Sequence, residues 1–338
     1  VFVRPDLRLH AKDLVDKARM APSLHNAQPW AFRVQREMVE VYADRDRAVR
    51  VLDPYDRQLF IGVGAALFVV RLGIKVLGAK PVVTLFPQGE PEVEEPEVKK
   101  GMVLAARLWV EGEHMPEPAE VRLLEQVEKR RTIRERMDPA LPEKTREALA
   151  SAASAENADL RWVQRPEERA ALAHLVSIGE SREQADAKIQ AELTQWVGGQ
   201  TVRHGSGVPE EALGASGELA RTAMFVPRDF AGGRPRLAPD LEGQEEQPTV
   251  AVLTTPGDRP VNWLCAGQAM MRVLLTATAD GLGASYYNQP LEMPDLRQRV
   301  QDDLKLTGIP QLVLRFGRPV GRWPVPTPRR PVDELLLP

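Results

Sequence analysis

Two distant stretches of this chain are built to one plan, and any fold must accommodate both. The first, G-A-A-L-F-V-V-R-L-G-I-K-V-L-G, opens at Gly64 and closes at Gly78; the second, G-Q-A-M-M-R-V-L-L-T-A-T-A-D-G, opens at Gly267 and closes at Gly281. Small and apolar residues fill both, so each reads as a core helix, over Ile61 to Gly78 and Leu264 to Gly281, with a glycine at its end. Upstream of each lie a helix, a loop and a strand: A-R-M-A-P-S-L-H-N-A-Q-P-W-A-F-R-V in one case, A-A-S-A-E-N-A-D-L-R-W-V in the other. Downstream of each lies a strand, M-V-L-A-A-R-L-W-V or Q-L-V-L-R-F-G. Three matching segments in the same order indicate an internal duplication, at a length that marks repeated domains and not solenoid units.

The halves divide at 113–120, within the polar run E-G-E-H-M-P-E-P-A, leaving an N-terminal half over 1–112 and a C-terminal half over 121–338. In the first half, Trp30 to Val34 and Val39 to Ala43 read as a hairpin, with strands at Val82 to Phe86 and Val103 to Val110. In the second, helices are expected over Val121 to Arg131, Pro142 to Ala153 and 166–196, and strands at Leu160 to Val163, Thr249 to Leu253 and Leu312 to Phe316. Residues 198–248, rich in Gly, Pro and charge, are too long for a simple loop and suggest a lid-like excursion carrying the glycines at 198–199 and Phe225 to Phe230.

Charge and cysteine usage narrow the chemistry. Lys and Arg total 45 against 48 Asp and Glu, a net charge of -3, so no global cationic field attracts nucleic acid. Cys265 is the one cysteine, which excludes an intrachain disulfide and a cysteine-rich zinc site. The apolar run Leu59 to Val70 suits a buried helix better than a membrane span, and a cytoplasmic protein without membrane contact is expected. The G-V-G-A-A-L at Gly62 lacks the third glycine of a dinucleotide loop. Neither a phosphate loop nor H-E-x-x-H is present, and H-G-S-G at 204–207 lacks the second glycine of a serine-nucleophile elbow. No metal ligand set is found.

Three segments remain. S-L-H-N-A-Q-P-W, Ser23 to Trp30, could present hydrogen-bonding groups to a heteroaromatic ring, or could be a capped turn whose Trp30 fills the core. In R-R-T-I-R-E-R, Arg130 and Arg134 share a face if the helix continues and could clamp a phosphate, or could answer the helix dipole. The tail T-P-R-R-P, Thr327 to Pro331, could hold an arginine in place through its prolines, or could be a solvated surface segment.

Together R-R-T-I-R, S-L-H-N-A-Q-P-W, D-G-L-G-A-S and P-R-R-P resemble the nitroreductase family of FMN oxidoreductases over most of the chain outside 165–248. The order departs from the family, whose arginine motif precedes S-x-x-N-x-Q-P-W. The duplication accounts for this. Family members are dimers with FMN at the interface, and here one half supplies the loop and the other the arginines, as in the fused, pseudo-dimeric Acg branch. The resemblance implies an α+β, nitroreductase-like fold, its two halves forming an intramolecular pseudo-dimer. It implies Arg130 and Arg131 at the FMN phosphate, Thr132 on the ribityl chain or phosphate, and Arg134 at the flavin N1–C2=O edge. It implies Arg329, or alternatively Arg330, at the phosphate; Ser23, His25, Asn26 and Gln28 as the partner loop; and Tyr287 and Asn288 near flavin N5. No acid, base or nucleophile is expected, because the flavin carries the chemistry.

The expected function is electron transfer from NADH or NADPH to a small-molecule acceptor. The alternative is a protein that sequesters FMN beneath a closed lid. One FMN per chain is expected, bound by a monomer. The second half has S-A-E-N-A-D-L-R-W where the first has S-L-H-N-A-Q-P-W, and the first half lacks the arginines.

Overall fold

The computed structural model describes residues 4–93, 100–197, 204–209, 212, 247–321 and 323–338. The glycines at 198–199 and Phe225 to Phe230 lie outside them. The described chain is α+β, with two antiparallel sheets as expected.

The first sheet has the order β1-β2-β4-β3, from β1 (Trp30–Val34), β2 (Met38–Asp44), β3 (Ala79–Leu85) and β4 (Met102–Glu113). The second contains β5 (Met137–Asp138), β6 (Asp159–Trp162), β7 (Thr249–Thr255), β8 (Gly283–Tyr286) and β9 (Ile309–Pro319); β7 lies between β6 and β9, and β8 pairs with β9. The β2–β4 pairing carries a bulge at Val41/Tyr42, and the β7–β9 pairing one at Leu253/Thr254. Strand β8 was not anticipated, because its four residues G-A-S-Y are too short to show alternation.

The helices, numbered in chain order among the described residues, are α1 (Ala11–Ala18), α2 (Arg57–Val76), α3 (Pro118–Gln126), α4 (Glu143–Ser154), α5 (Pro166–Ala185), α6 (Ala187–Trp196), α7 (Pro260–Ala279), α8 (Pro294–Asp303) and α9 (Val332–Leu335). The helix expected over 166–196 is two, parted at Asp186, whose carboxylate leaves helical geometry to accept from the amides of Lys188 and Ile189 at 2.8 and 3.2 Å. That side chain makes a better N-cap than an interior residue. Helix α8 was also missed, because only Leu296 and Val300 on it are buried.

The two apolar segments are α2 and α7, each of twenty residues, with Gly78 and Gly281 beyond their ends at φ +84° and +73°. They pack backbone to backbone. A Cβ on Gly267 would stand 1.9 Å from the Ile61 carbonyl oxygen, and one on Gly64 2.2 Å from that of Leu264. Each glycine therefore faces the carbonyl three residues before the other, a self-complementary contact that any side chain would forbid. Helix α2 is long and apolar enough by composition to cross a membrane, but 83% of its most apolar 18-residue stretch is buried as core.

After β9 the chain returns to the first sheet. Leu336 bridges Phe32 of β1, the Leu337 amide donates to the Phe32 carbonyl at 2.7 Å, and Arg33 donates to the Pro338 carbonyl at 2.9 Å. The tail thus covers the β1 edge, which would otherwise present unpaired backbone groups.

Candidate functional site

The segments singled out in the sequence meet around one cavity of about 1500 Å³ including its open mouth, ample for a cofactor. The loop after α1 contributes Ser23, His25 and Asn26; the segment after α3 contributes Arg130, Arg131, Thr132 and Arg134. The turn after β8 contributes Tyr287 and Asn288, and the tail contributes Arg329. Gln28 and Arg330 do not line it.

The arginine segment reaches the cavity by a route the sequence did not suggest. Helix α3 ends at Gln126, so Arg130 and Arg134 do not share a helical face. Thr132 instead bridges Ala284 of β8, and the Ile133 amide donates to the Ala284 carbonyl at 2.9 Å. In an extended segment alternate side chains share a side. Arg130, Arg131, Thr132 and Arg134 line the cavity, and the alternation shows at 132–134, where Ile133 is buried over Gly283, a Cβ on which would come within 2.3 Å of it. Packing of Ile133 against that glycine outweighs helix continuation.

Arg130 and Arg329 converge from opposite ends of the C-terminal half. Each donates to the Met20 carbonyl, at 3.4 and 3.3 Å. Neither makes an ion pair with a carboxylate among the described residues, and the Nε of each is buried without a partner. Burial pushes the Arg329 guanidinium down to about 9, reinforced by Arg130, Arg131 and Arg19. Burial likewise lowers Arg130 and Arg131. Guanidinium groups at a cavity wall with no carboxylate partner among the described residues are chemically suited to an anion. Glu292, a carboxylate among the lining residues, stands on a wall shared with a second cavity, in the field of Arg57.

The loop Ser23–Trp30 is held in strained geometry. His25, Asn26 and Gln28 have φ of +48°, +56° and +51°, each costing on the order of 1 kcal/mol or more. The Ser23 hydroxyl secures it by accepting from the Gln28 amide at 2.9 Å. Gln28 is fully buried behind the cavity wall. Its Oε1 accepts from the Arg330 amide at 3.0 Å and its Nε2 donates to the Gly205 carbonyl at 2.7 Å. Arg330 turns away toward Glu334 and the Gln28 carbonyl. Asn26 lines the cavity while donating to the Gly207 and Pro328 carbonyls, both at 2.9 Å, and accepting from Arg329 at 2.9 Å. Of the expected residues near N5, the Tyr287 amide is committed to the Val313 carbonyl at 3.0 Å. The Asn288 Oδ1 is committed to the Val313 amide at 2.9 Å.

The described part of the excursion is tied to this loop. Ser206 Oγ accepts from Arg47 at 2.6 Å, the Gly207 amide donates to the Asn26 carbonyl at 3.2 Å, and Arg134 donates to the Ala212 carbonyl at 2.7 Å. Val208 and Ala212 line the cavity. The H-G-S-G that is no nucleophile elbow is a clasp.

Sequence reasoning missed Gln58, Tyr286, Glu292 and Arg315, which also line the cavity. Gln58 lies in the first turn of α2, 6% exposed, with a buried Nε2 that has no partner. A polar residue opening an otherwise apolar helix was the signal available. Burial raises the Tyr286 hydroxyl, against the opposing pull of Arg130 and Arg134.

No protein-family model matches the sequence. Among curated proteins it is similar to "Putative NAD(P)H nitroreductase Rv3131" of Mycobacterium tuberculosis, 30% identical over 322 residues covering 94% of this chain and 88% of that protein. "Putative NAD(P)H nitroreductase acg" of the same organism is 28% identical over 332 residues, covering 96% and 94%. "Uncharacterized protein Rv3127" is 29% identical over 336 residues, covering 96% and 92%. End-to-end similarity of this kind, over a chain that gathers its arginine, loop and tail motifs around one cavity, means that the protein belongs to the nitroreductase family, in the branch that contains Acg.

Proposed function

We propose that the cavity binds one FMN and that the protein is an FMN-dependent oxidoreductase, cytoplasmic, drawing electrons from NADH or NADPH and delivering them to a small-molecule acceptor. The observation that carries this reading is the pair Arg130 and Arg329, buried, directed at one carbonyl and without a carboxylate partner among the described residues. Their free Nε groups, with Arg131 and Thr132, fit a phosphate; Arg134, Gln58 and the Ser23–Asn26 loop fit a polar heterocycle. FMN, when bound there, supplies the two-electron chemistry. The chain's part is to hold and orient it, to stabilise negative charge through Arg134, and to exclude water with Val208 and Ala212.

We read the chain as a duplicated, intramolecular pseudo-dimer, with halves over 1–112 and 121–338. In support, the sheet orders β1-β2-β4-β3 and β6-β7-β9-β8 correspond, and Gly64 and Gly267 make reciprocal contacts. Asn26 and Asn157 occupy matching loops at φ +56° and +58°. At the second of these loops Glu156 stands where the first has His25, and is held by Arg71 at 2.5 Å and Arg272 at 2.9 Å. An internal carboxylate already neutralises those arginines, which supports a single flavin per chain and a binding-competent monomer, without nucleic-acid or membrane partners.

A second reading, FMN sequestration without turnover, is favoured by the clasp at Gly205–Val208, hydrogen-bonded to the same Asn26 that lines the cavity. The test is threefold: flavin released on denaturation per mole of chain, preference for FMN over riboflavin, and NADH or NADPH oxidation with a panel of acceptors. Equal affinity for riboflavin would remove the phosphate assignment. Bound FMN with no turnover would select sequestration, and two flavins per chain would refute the single-site argument.

A further inference from the structure

The second cavity, of about 1010 Å³ including its mouth, lies between the loop before α2, the start of α7, the turn at Gln289–Glu292 and α8. Asp53 lines it and is itself 5% exposed. The residue preceding α2, Asp56, is left-handed at φ +61° and makes no side-chain cap. Asp53 does that work from further back. Its Oδ2 accepts from the Leu59 amide at 2.9 Å, and it also accepts from the Gln58 backbone. A carboxylate on first-turn amides answers both their missing hydrogen bonds and the helix dipole. The residue whose amide it holds, Gln58, lines the first cavity and has a buried Nε2 with no partner among the described residues. The neighbouring Arg57 faces the second cavity and donates to the Leu291 carbonyl at 3.0 Å, bracing the same partition.

We propose that Asp53 is a positioning residue for the cofactor: its ionised carboxylate locks the first turn of α2 and so fixes Gln58 against the flavin, and its protonation loosens that grip. This rests on the reading that the first cavity holds FMN.

The charges around Asp53 do not hold it permanently ionised. Burial is the largest influence and brings it up to about 6, with the Gln58 and Leu59 amides and Arg57 acting against burial and Asp56 acting with it. Across the second cavity stand Glu292 from the turn, Asp258 from the approach to α7, and Arg297 from α8. Arg297 is tied to Asp258 by two hydrogen bonds at 2.7 Å and is thereby largely neutralised. The second cavity gives protons a path to a group that its own loop would otherwise seal. Because ionised Asp53 favours binding, FMN must by linkage lower the pKa of Asp53.

The test is FMN affinity, read by flavin fluorescence between pH 5.5 and 7.5, for the wild type, Asp53→Asn and Gln58→Ala. FMN's own phosphate titrates near pH 6, so the quantity of interest is the difference between proteins. The wild type should lose about threefold to fourfold more affinity on acidification than either variant, because a carboxyl at about 6 in the free protein is about three-quarters protonated at pH 5.5 and linkage allows no larger loss. Asp53→Asn should bind more weakly than wild type at pH 7.5 and approach it at pH 5.5. Equal pH slopes in all three proteins would overturn the proposal. So would a wild-type slope persisting in Gln58→Ala, because Asp53 would then act through another group. Absence of FMN binding by the wild type at pH 7.5 would overturn the cofactor assignment itself, an outcome distinct from both.

Discussion

Replacement of Arg329 by Ala should separate binding from stability. Its guanidinium is brought well below the ordinary arginine value, to about 9, by burial and by Arg130, Arg131 and Arg19. At 1.36 kcal/mol per pKa unit this corresponds to about 5 kcal/mol of unfavourable surroundings. At the effective dielectric of a real protein interior, well above that of dry protein, the penalty felt is smaller, on the order of 2–3 kcal/mol. The sign follows from the direction. A base with a lowered folded pKa is penalised in its charged form, so the penalty is fully present at neutral pH and fades only as pH rises above about 9. Against it stand the hydrogen bonds of Arg329: Nη1 spreads its two protons over Asn26, Thr327 and Pro328, and Nη2 reaches Met20 at 3.3 Å, so they amount to one or two well-formed bonds, on the order of 2–3 kcal/mol. The two nearly cancel. Urea unfolding of apoprotein Arg329→Ala should therefore fall within about 1 kcal/mol of wild type, whereas FMN affinity should weaken by roughly 1.5–3 kcal/mol, the scale of a hydrogen bond to a charged group. Destabilisation of the apoprotein by more than about 3 kcal/mol with unchanged FMN affinity would show Arg329 to be a strut for the tail and would refute the anion-site reasoning.

Gly267→Ala should destabilise by about 3 kcal/mol or more in denaturant titrations, because its Cβ meets the Ile61 carbonyl oxygen at 1.9 Å and α2 and α7 must part; a neutral effect would mean that the crossing is loose. Gly205→Ala, at φ +77° with its Cβ 2.7 Å from the Arg329 carbonyl oxygen, should release FMN about tenfold faster in stopped-flow displacement by unlatching the clasp. Burial opposes ionisation of Glu120, but hydrogen bonds from His114 and Lys75 bring it down to about 2. Its stabilisation should be complete above pH 4.5 and lost as pH falls toward 2, so Glu120→Gln should be less stable than wild type at pH 7 and equal to it near pH 2.

Local sequence was enough to place the two core helices and to pick out residues that line one cavity. The spacing of Gly64 and Gly78, and of Gly267 and Gly281, marks the two helices that cross at the centre, because backbone contact tolerates no other residue there. Arg130, Thr132 and Arg134 were legible as a motif, and their alternation proved to be that of an extended segment: the pairing partner that stops the helix, Ala284, lies far away in the chain. The choice between Arg329 and Arg330 was likewise beyond the sequence. It is made by Gln28, which captures the Arg330 amide and leaves Arg329 facing the cavity. Gln58 and Glu292 carry no motif and acquire meaning only from a wall assembled out of α2 and the turn after β8. Residue type and short-range spacing determine which chemistry the chain can offer. Which groups are left unpaired to offer it depends on desolvation and on partners brought together from both halves, and tertiary structure alone decides that.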